Sequence, residues 1–206
     1  MKAVVFLGGE PYRGTIEVQD AYVVACDAGY LQAQSRGITP DLVLGDFDSL
    51  GYVPQGALTV PAEKNFTDGE MAIEELFLRK ESLSITEIEV YGGGGMREDH
   101  FLGVLQLLLF AKKRGLLLTI ITNYSKIYLK DASFSSKCGT NRTVSLIPFS
   151  GDVHIINSEG LYYPLKNLTL RQGETRGISN RTEKETFSLE FGGGNLLVVE
   201  VAEGCL

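Results

Sequence analysis

Short apolar runs alternate with helix-like stretches through roughly the first 122 residues. Runs typical of buried strands lie at residues 2–7, 22–26, 41–44, 87–91 and 116–122. Helix-like stretches lie at residues 30–35, 71–79 and 101–114, and Gly115 follows the last of them as a residue suited to end a helix. Strands that alternate with helices predict a mainly parallel, helix-covered sheet of Rossmann-like type.

The pattern changes in the second half of the chain. Glycine-rich turns separate short alternating segments from about residue 126 onward, and no comparable helix pattern accompanies them. The segments include residues 143–148, 153–157, 168–171, 187–191 and 196–201. They predict a small antiparallel β-sandwich of jelly-roll-like form. We therefore predict an α/β domain over residues 1–123 and a β-sandwich domain over residues 124–206.

The net charge of the chain and the length of its apolar runs disfavour two classes of binding partner. The chain has 206 residues and a net charge of −7, so it repels nucleic-acid phosphates. Its densest basic run, Lys112-Lys113-Arg114, ends a predicted helix, where positive charge complements the helix dipole. The apolar runs are too short for a membrane span or a signal peptide. We expect neither nucleic acid nor a membrane as a partner.

The cysteine pattern bears on the compartment. Cys26, Cys138 and Cys205 lie far apart, and no pair has the spacing of a metal site or a redox motif. Cys26 belongs to an apolar run and is expected in the core. This usage is typical of a reducing compartment, so we expect the protein to be cytoplasmic.

Carboxylates crowd one predicted edge of the parallel sheet. Asp27 follows the second strand, Asp46 and Asp48 follow the third, and Asp68 and Asp99 begin helices. Ligands of open parallel sheets bind outside the carboxyl ends of the strands. Residues two apart in an extended segment point to the same side, so Asp46 and Asp48 are expected to converge. Such a set of oxygen ligands suits magnesium together with substrate phosphates.

Structural interpretations of the same residues stay open. Thr67 with Glu70 three residues later fits a capping box at a helix start. Asp99 is a candidate N-cap of the helix at residues 101–114. Asp27 and Asp46 also suit turns, which favour aspartate.

A glycine run adds a phosphate-handling signal. Gly92–Gly95 allows the backbone to approach a ligand closely, and Arg97 offers a fork suited to phosphate oxygens. The chain has no P-loop motif and no Gly-x-Gly-x-x-Gly fingerprint after its first strand. The second absence disfavours an oxidoreductase that uses nicotinamide or flavin.

Several motifs together carry a family resemblance. They are Ala25-Cys26-Asp27-Ala28-Gly29, the segment 40–49 with Gly45-Asp46-Phe47-Asp48-Ser49, the segment 64–72 with Thr67-Asp68, the segment from Tyr91-Gly92 to Arg97-Glu98-Asp99-His100, the segment 160–165, and Gly177-Ile178-Ser179-Asn180. In this order they resemble the thiamine pyrophosphokinase family along nearly the whole chain.

The resemblance implies a site that uses ATP, magnesium and thiamine. ATP and Mg²⁺ would lie on the α/β domain, and thiamine would lie in a cleft completed by the β domain of a second subunit, which implies a homodimer. The positions expected to hold the metal are Asp46, Asp48, Asp68 and Asp99. The positions expected to take part in catalysis are Asp46, Asp68, Asp99 and Arg97. The positions expected to contact nucleotide or thiamine are Asp27, Asp48, Thr67, Arg97, Ser179 and Asn180.

The implied reaction is diphosphate transfer. The thiamine hydroxyl would attack the β-phosphorus of ATP and AMP would leave, a reaction that needs positioning and charge neutralisation. Asp68 or Asp99 would accept the hydroxyl proton. Asn65, Met96 and Val104 depart from the family pattern, and the chain has no tryptophan to stack on thiamine. These departures bear on substrate affinity more than on the class of reaction.

Two other functions compete with this one. A diphosphokinase for another hydroxymethyl heterocycle, such as a pterin, would keep the acidic residues and change the pocket. A non-catalytic module that binds thiamine or a nucleotide would tolerate loss of the aspartates. Ser179-Asn180 favours thiamine over the first alternative, and the intact aspartates disfavour the second.

Overall fold

A computed structural model describes residues 1–60, 65–95, 97–202 and 204. The expectations that concern Lys64, Met96 and Cys205 lie outside these residues. The chain divides into two compact units, Met1–Asn123 and Tyr124–Leu206.

A parallel sheet organises the first unit. Its strands are β1 (Lys2–Phe6), β2 (Ala21–Cys26), β3 (Leu42–Gly45), β4 (Leu58–Thr59), β5 (Glu87–Tyr91) and β6 (Leu117–Ile121). The spatial order is β6-β5-β1-β2-β3-β4, and each neighbouring pair runs parallel. The helices are α1 (Gly29–Ser35), α2 (Asp68–Leu78), α3 (Lys80–Leu83) and α4 (Glu98–Lys112). The predicted parallel sheet with intervening helices is confirmed.

Continuous burial explains why the central strands read as uninterrupted apolar runs. Residues 3–6 of β1 and 23–26 of β2 are all buried. A parallel strand covered on both faces has no solvent side on which to place polar residues, so its sequence does not alternate.

Local chemistry sets the helix ends. The Thr67–Glu70 capping box forms, and α2 therefore begins at Asp68, three residues before the predicted start. Gly115 adopts φ +66 just beyond α4, as expected of a glycine at a helix end. The expectation that Asp99 is an N-cap is wrong. Arg97 occupies that position and Asp99 lies in the first turn, where its carboxylate accepts hydrogen bonds from the Arg97 guanidinium.

Two antiparallel sheets form the second unit. The strands are β7 (Ser125–Lys130), β8 (Phe134–Lys137), β9 (Thr143–Ser150), β10 (Val153–Glu159), β11 (Leu168–Leu170), β12 (Asn180–Arg181), β13 (Thr186–Gly192) and β14 (Asn195–Val201). Within this unit β12-β9-β14-β7 form one sheet and β11-β10-β13-β8 form the other. One core contains buried side chains from both sheets, among them Leu146, Val198, Ile155 and Phe187. The predicted antiparallel β unit is confirmed.

Within the described residues, no helix combines the length and the apolar character that crossing a bilayer requires.

Candidate active site

The carboxyl ends of neighbouring parallel strands bring Asp27 and Asp46 together. Cys26, the last residue of β2, pairs with Leu44 near the end of β3. The amide of Asp27 donates to the carbonyl of Leu44 at 2.9 Å. Asp27 and Asp46 therefore follow two adjacent strands at the same edge of the sheet, as the sequence predicts.

Asp27 is held in an unusual backbone conformation. Its φ is +47, and a β-carbon on Gly45 would lie 3.2 Å from its Cα. Oδ2 of Asp27 accepts a hydrogen bond from the Ser49 hydroxyl at 2.7 Å. Oδ1 is the one buried side-chain polar atom without a hydrogen-bond partner among the residues that the structure describes. A buried carboxylate oxygen without a donor is costly, which marks this position as a candidate ligand site.

Asp46 and Asp48 do not lie on an extended segment. Phe47 between them adopts φ +59, and its side chain is buried with 2% exposure. The backbone amide of Asp48 donates to Oδ1 of Asp46 at 3.3 Å. The expected extended geometry is therefore wrong, because the backbone of Phe47 adopts a left-handed conformation. Asp46 is half-buried, whereas Asp48 is exposed.

Helix α2 places Asp68 beside this edge. The Cys26 thiol donates to the carbonyl of Asp68 at 3.7 Å, so the first residue of the helix lies over the end of β2. The Thr67 hydroxyl accepts from the amide of Glu70 at 3.2 Å, and the Thr67 amide donates to the Glu70 carboxylate at 3.1 Å. Thr67 thus fixes the start of the helix, whose positive end favours a nearby anion.

Arg97 and Asp99 pair with each other. The guanidinium donates two hydrogen bonds to the carboxylate at 2.9 and 2.6 Å, and both side chains are about two-thirds exposed. These bonds hold the pKa of the Asp99 carboxyl well below its usual range and raise the pKa of Arg97. Asp99 is therefore ionised and already compensated by a cation.

The described part of the chain contains no group of three or more His, Cys, Asp or Glu side chains arranged to share a metal ion. The four-aspartate metal site expected from the sequence stays a prediction.

Two glycine loops interlock at the same edge. The amide of Gly9 donates to the carbonyl of Gly92 at 2.8 Å, and the amide of Glu10 donates to that of Gly94 at 2.7 Å. A β-carbon on Gly9 would lie 2.3 Å from the Gly94 oxygen, so this contact requires glycine. The loop after β1 and the loop after β5 therefore form one continuous backbone surface.

Two further residues hold groups at this edge, and the sequence assigns neither of them a role of its own. Gln32 of α1 donates from its amide nitrogen to the carbonyls of Leu7 and Gly9 at 2.9 and 2.8 Å. Ser49 holds Asp27. The only signal for Gln32 is a polar residue within the predicted helix 30–35, whereas Ser49 belongs to the motif Gly45-Asp46-Phe47-Asp48-Ser49 that carries the family resemblance.

Asn180 of the second unit is buried with 5% exposure and holds a neighbouring segment in place. Its side-chain oxygen accepts from the amides of Tyr163 and Arg181 at 3.1 and 2.8 Å, and its side-chain nitrogen donates to the Tyr163 carbonyl at 2.8 Å. Ser179 is exposed at φ +60, and its amide donates to the Ser145 hydroxyl at 3.0 Å. Asn180 thus acts on backbone groups, while Ser179 presents its side chain to solvent.

Comparison with known proteins connects both units to one family. Residues 16–120 match the model for the catalytic domain of thiamin pyrophosphokinase, and residues 132–196 match the model for its vitamin B1 binding domain. The thiamine pyrophosphokinase of Bacillus subtilis is 28% identical over 186 residues, which cover 85% of this chain and 85% of that protein.

Solved structures of such proteins share the fold. The crystal structure of thiamine pyrophosphokinase from Bacillus subtilis superposes with a TM-score of 0.85 at 24% identity, covering 98% of this chain and all of that one. The thiamin pyrophosphokinase from Geobacillus thermodenitrificans superposes with a TM-score of 0.81 at 25% identity, covering both chains completely.

Proposed function

The chain belongs to the thiamine pyrophosphokinase family and is a thiamine diphosphokinase, and we propose that the transfer takes place at the carboxyl edge of its parallel sheet. The observation that carries this placement is the unpartnered, buried Oδ1 of Asp27, a residue that follows β2 just as Asp46 follows the adjacent strand β3. In this placement residues 1–123 form a Rossmann-like catalytic domain, and residues 124–206 form a jelly-roll-like domain for thiamine binding and dimerisation.

The reaction requires a nucleophile, a leaving group and a proton acceptor. The thiamine hydroxyl oxygen forms a bond to the β-phosphorus of ATP, and the bond from that phosphorus to the oxygen shared with the α-phosphate breaks. AMP leaves, and the hydroxyl proton passes to a carboxylate. Asp68 suits this role better than Asp99, because the hydrogen bonds from Arg97 lower the pKa of Asp99 and weaken it as a base.

The side chains at this edge match magnesium in donor type, although no three of them among the described residues are arranged to share an ion. The available donors are carboxylate oxygens, the ligand type that Mg²⁺ prefers when it also binds phosphates. The unpartnered Oδ1 of Asp27 is such a donor. Asp46, Asp48 and Asp68 would hold the ion with it, and Asp99 is the remaining candidate. When bound, the ion neutralises charge on the polyphosphate.

Arg97 supplies the cation for the phosphates. Its side chain is 66% exposed, so its guanidinium is open to a ligand from solvent. The pairing with Asp99 orients the guanidinium at the start of α4. A planar fork of donors matches two phosphate oxygens at once.

We assign thiamine binding to the second unit. Ser179 offers an exposed hydroxyl for the aminopyrimidine, while Asn180 fixes the segment that carries Tyr163. The site is completed by the second unit of a partner subunit, so the functional form is a homodimer. We place the enzyme in the cytoplasm, since the three widely spaced cysteines are typical of a reducing compartment.

A pair of matched variants tests the site. Asp27 and Asp20 flank β2, and both have positive φ, at +47 and +56, a conformation that asparagine tolerates. The full-length chain is supplied with ATP, magnesium and thiamine, and AMP and thiamine diphosphate are measured. We expect equal amounts of both products, a loss of about a hundredfold in Asp27→Asn, and no loss in Asp20→Asn.

Equal activity in Asp27→Asn and Asp20→Asn would overturn the placement of the site. AMP formation only when a hydroxymethyl pterin replaces thiamine would overturn the substrate.

A further inference from the structure

Gln32 is a buried polar side chain with both amide protons committed to the backbone. It lies in α1 with 8% exposure. Its Nε2 donates to the carbonyls of Leu7 and Gly9 at 2.9 and 2.8 Å. An amide nitrogen carries two protons, so these two bonds use its full donor capacity. The side chain therefore fixes the loop after β1 to a helix that follows a different strand.

Gly92 packs directly against this amide. A β-carbon on Gly92 would lie 2.9 Å from Nε2 of Gln32 and 2.3 Å from the Leu7 oxygen. Gly92 can occupy this position because it has no side chain and adopts φ +71. Gln32 consequently stabilises the point at which the loops after β1 and β5 meet.

The rest of the first loop is held by a second amide side chain. Oδ1 of Asn123 accepts from the amide of Arg13 at 2.7 Å, and its Nδ2 donates to the carbonyl of Pro11 at 3.0 Å. The ring of Tyr12 packs on that of Tyr91 with 5.2 Å between centroids. The segment from Gly9 to Arg13 is thus built into the edge of the sheet along its length.

We infer that Gln32 is a positioning residue for ATP, which sets the backbone of the Gly9 and Gly92 loops before the nucleotide binds. The inference rests on the proposed placement of the ATP site. Gln32 touches no reacting atom in this account. It acts through the loop that it holds, and a loop ordered in advance lowers the entropy that binding would otherwise lose.

Binding of an inert nucleotide tests the inference directly. Diphosphate transfer breaks the bridge between the α- and β-phosphates, so α,β-methylene-ATP with magnesium binds without reacting. We measure its Kd by calorimetry for the wild-type chain and for Gln32→Met, which keeps the side-chain length and removes both donors. We expect the Kd to rise about tenfold, the loss expected when a preformed loop must be ordered on binding. The KM for thiamine should change less than twofold.

A control separates positioning from general loss of stability. Ile85 lies just before the amino end of β5, at the opposite edge of the same unit, and is 1% exposed. Ile85→Ala lowers the Tm without touching either loop, and we expect its Kd for the analogue to stay at the wild-type value. An unchanged Kd in Gln32→Met overturns the inference, as does an equal rise in Ile85→Ala. A wild-type chain that neither binds the analogue nor forms AMP overturns the proposed function instead.

If Gln32→Met does not fold, hydrogen–deuterium exchange of the wild-type chain still tests whether the loop is formed before the nucleotide binds. The amides of Gly9 and Glu10 donate to the carbonyls of Gly92 and Gly94. If the loop is formed in advance, hydrogen–deuterium exchange finds both amides protected without nucleotide. Rapid exchange that slows only after the analogue is added would overturn the inference.

Discussion

Ser49 donates its hydroxyl hydrogen to Oδ2 of Asp27 across 2.7 Å, although 22 positions separate them in the sequence. The bond ties the turn after β3 to the residue that directly follows β2. It also satisfies one carboxylate oxygen of Asp27 and leaves the buried Oδ1 as the atom without a partner. The orientation of Asp27 therefore depends on a side chain from the turn that follows the neighbouring strand.

Removing this hydroxyl should impair the active site. A hydrogen bond to a charged group contributes about 1.5–3 kcal/mol, and the exposure of Ser49 favours the lower end of that range. We expect Ser49→Ala to lower kcat/KM for ATP about tenfold, since 1.4 kcal/mol corresponds to a factor of ten. Ser82→Ala removes an exposed serine hydroxyl that bonds only within a helical segment, and it should leave the kinetics unchanged. Equal kinetics for both variants would argue against a role for Ser49.

The pairing with Arg97 should determine the pH range in which the Asp99 carboxyl titrates. The pKa of Asp99 is lowered because Arg97 donates two hydrogen bonds to the carboxylate. A carboxyl group with a lowered folded-state pKa stabilises the fold at pH values above its unfolded pKa. That contribution is lost as the pH falls through the lowered value.

We expect Arg97→Gln to move the Asp99 titration upward toward the ordinary aspartate range, as measured by carboxyl ¹³C NMR. Arg171→Gln removes an exposed guanidinium of the second unit, which lies 3.9 Å from Glu174. This control should leave the titration of Asp99 in place. If the Asp99 pKa is unchanged in Arg97→Gln, the hydrogen bonds from Arg97 are not what lowers it.

The capping box at α2 should contribute measurably to stability. Loss of a threonine N-cap destabilises a protein by about 1 kcal/mol, because one helix amide loses its partner. We expect Thr67→Ala to lower the urea midpoint accordingly and Thr67→Ser to retain most of the stability, since serine offers the same acceptor. Equal midpoints for the two variants would show that the hydrogen bond to the Glu70 amide is dispensable.

Asn180 should affect thiamine more than ATP. Asn180→Ala leaves the amide and the carbonyl of Tyr163 without their partners, a loss of about 1–3 kcal/mol in unfolding free energy. The displaced segment should raise the KM for thiamine by about tenfold while the KM for ATP stays constant.

Thr182→Val provides the control for Asn180→Ala. Thr182 is 1% exposed and donates to the Gly139 carbonyl at 2.6 Å, so its loss destabilises the same unit. We expect its KM for thiamine to remain at the wild-type value. If the KM for thiamine rises similarly in both variants, the effect of Asn180→Ala is explained by general destabilisation of the unit.

The bounds of buried strands were predicted from the sequence more accurately than those of exposed or very short strands. Strand β5 has the predicted bounds, and β1 and β2 differ from the predicted segments by one residue each, because buried parallel strands leave a continuous apolar run. The prediction missed β4, β7, β8 and β12. Both residues of β4 are exposed, and β12 contains only two residues, so neither has an apolar pattern to find.

The geometry around Asp46 and Asp48 escaped prediction for a different reason. Spacing alone indicates the same side only if the backbone is extended. Phe47 is buried and adopts φ +59, so the backbone between the two aspartates is not extended. A positive φ at a residue other than glycine is uncommon, and the spacing of the aspartates gives no sign of it.

The sequence by itself determined the family, the reaction and the parallel arrangement that gathers Asp27 and Asp46 at one edge, because motifs and periodicity are local properties of the chain. Only the tertiary structure decided which oxygen of Asp27 lacks a partner, that Gln32 holds Leu7 and Gly9, and that Asn180 bonds to backbone groups rather than presenting its amide to solvent. Each of these depends on hydrogen bonds between groups far apart in the sequence, such as the 25 positions from Leu7 to Gln32. Such bonds form only where packing has brought the two groups within reach and excluded water.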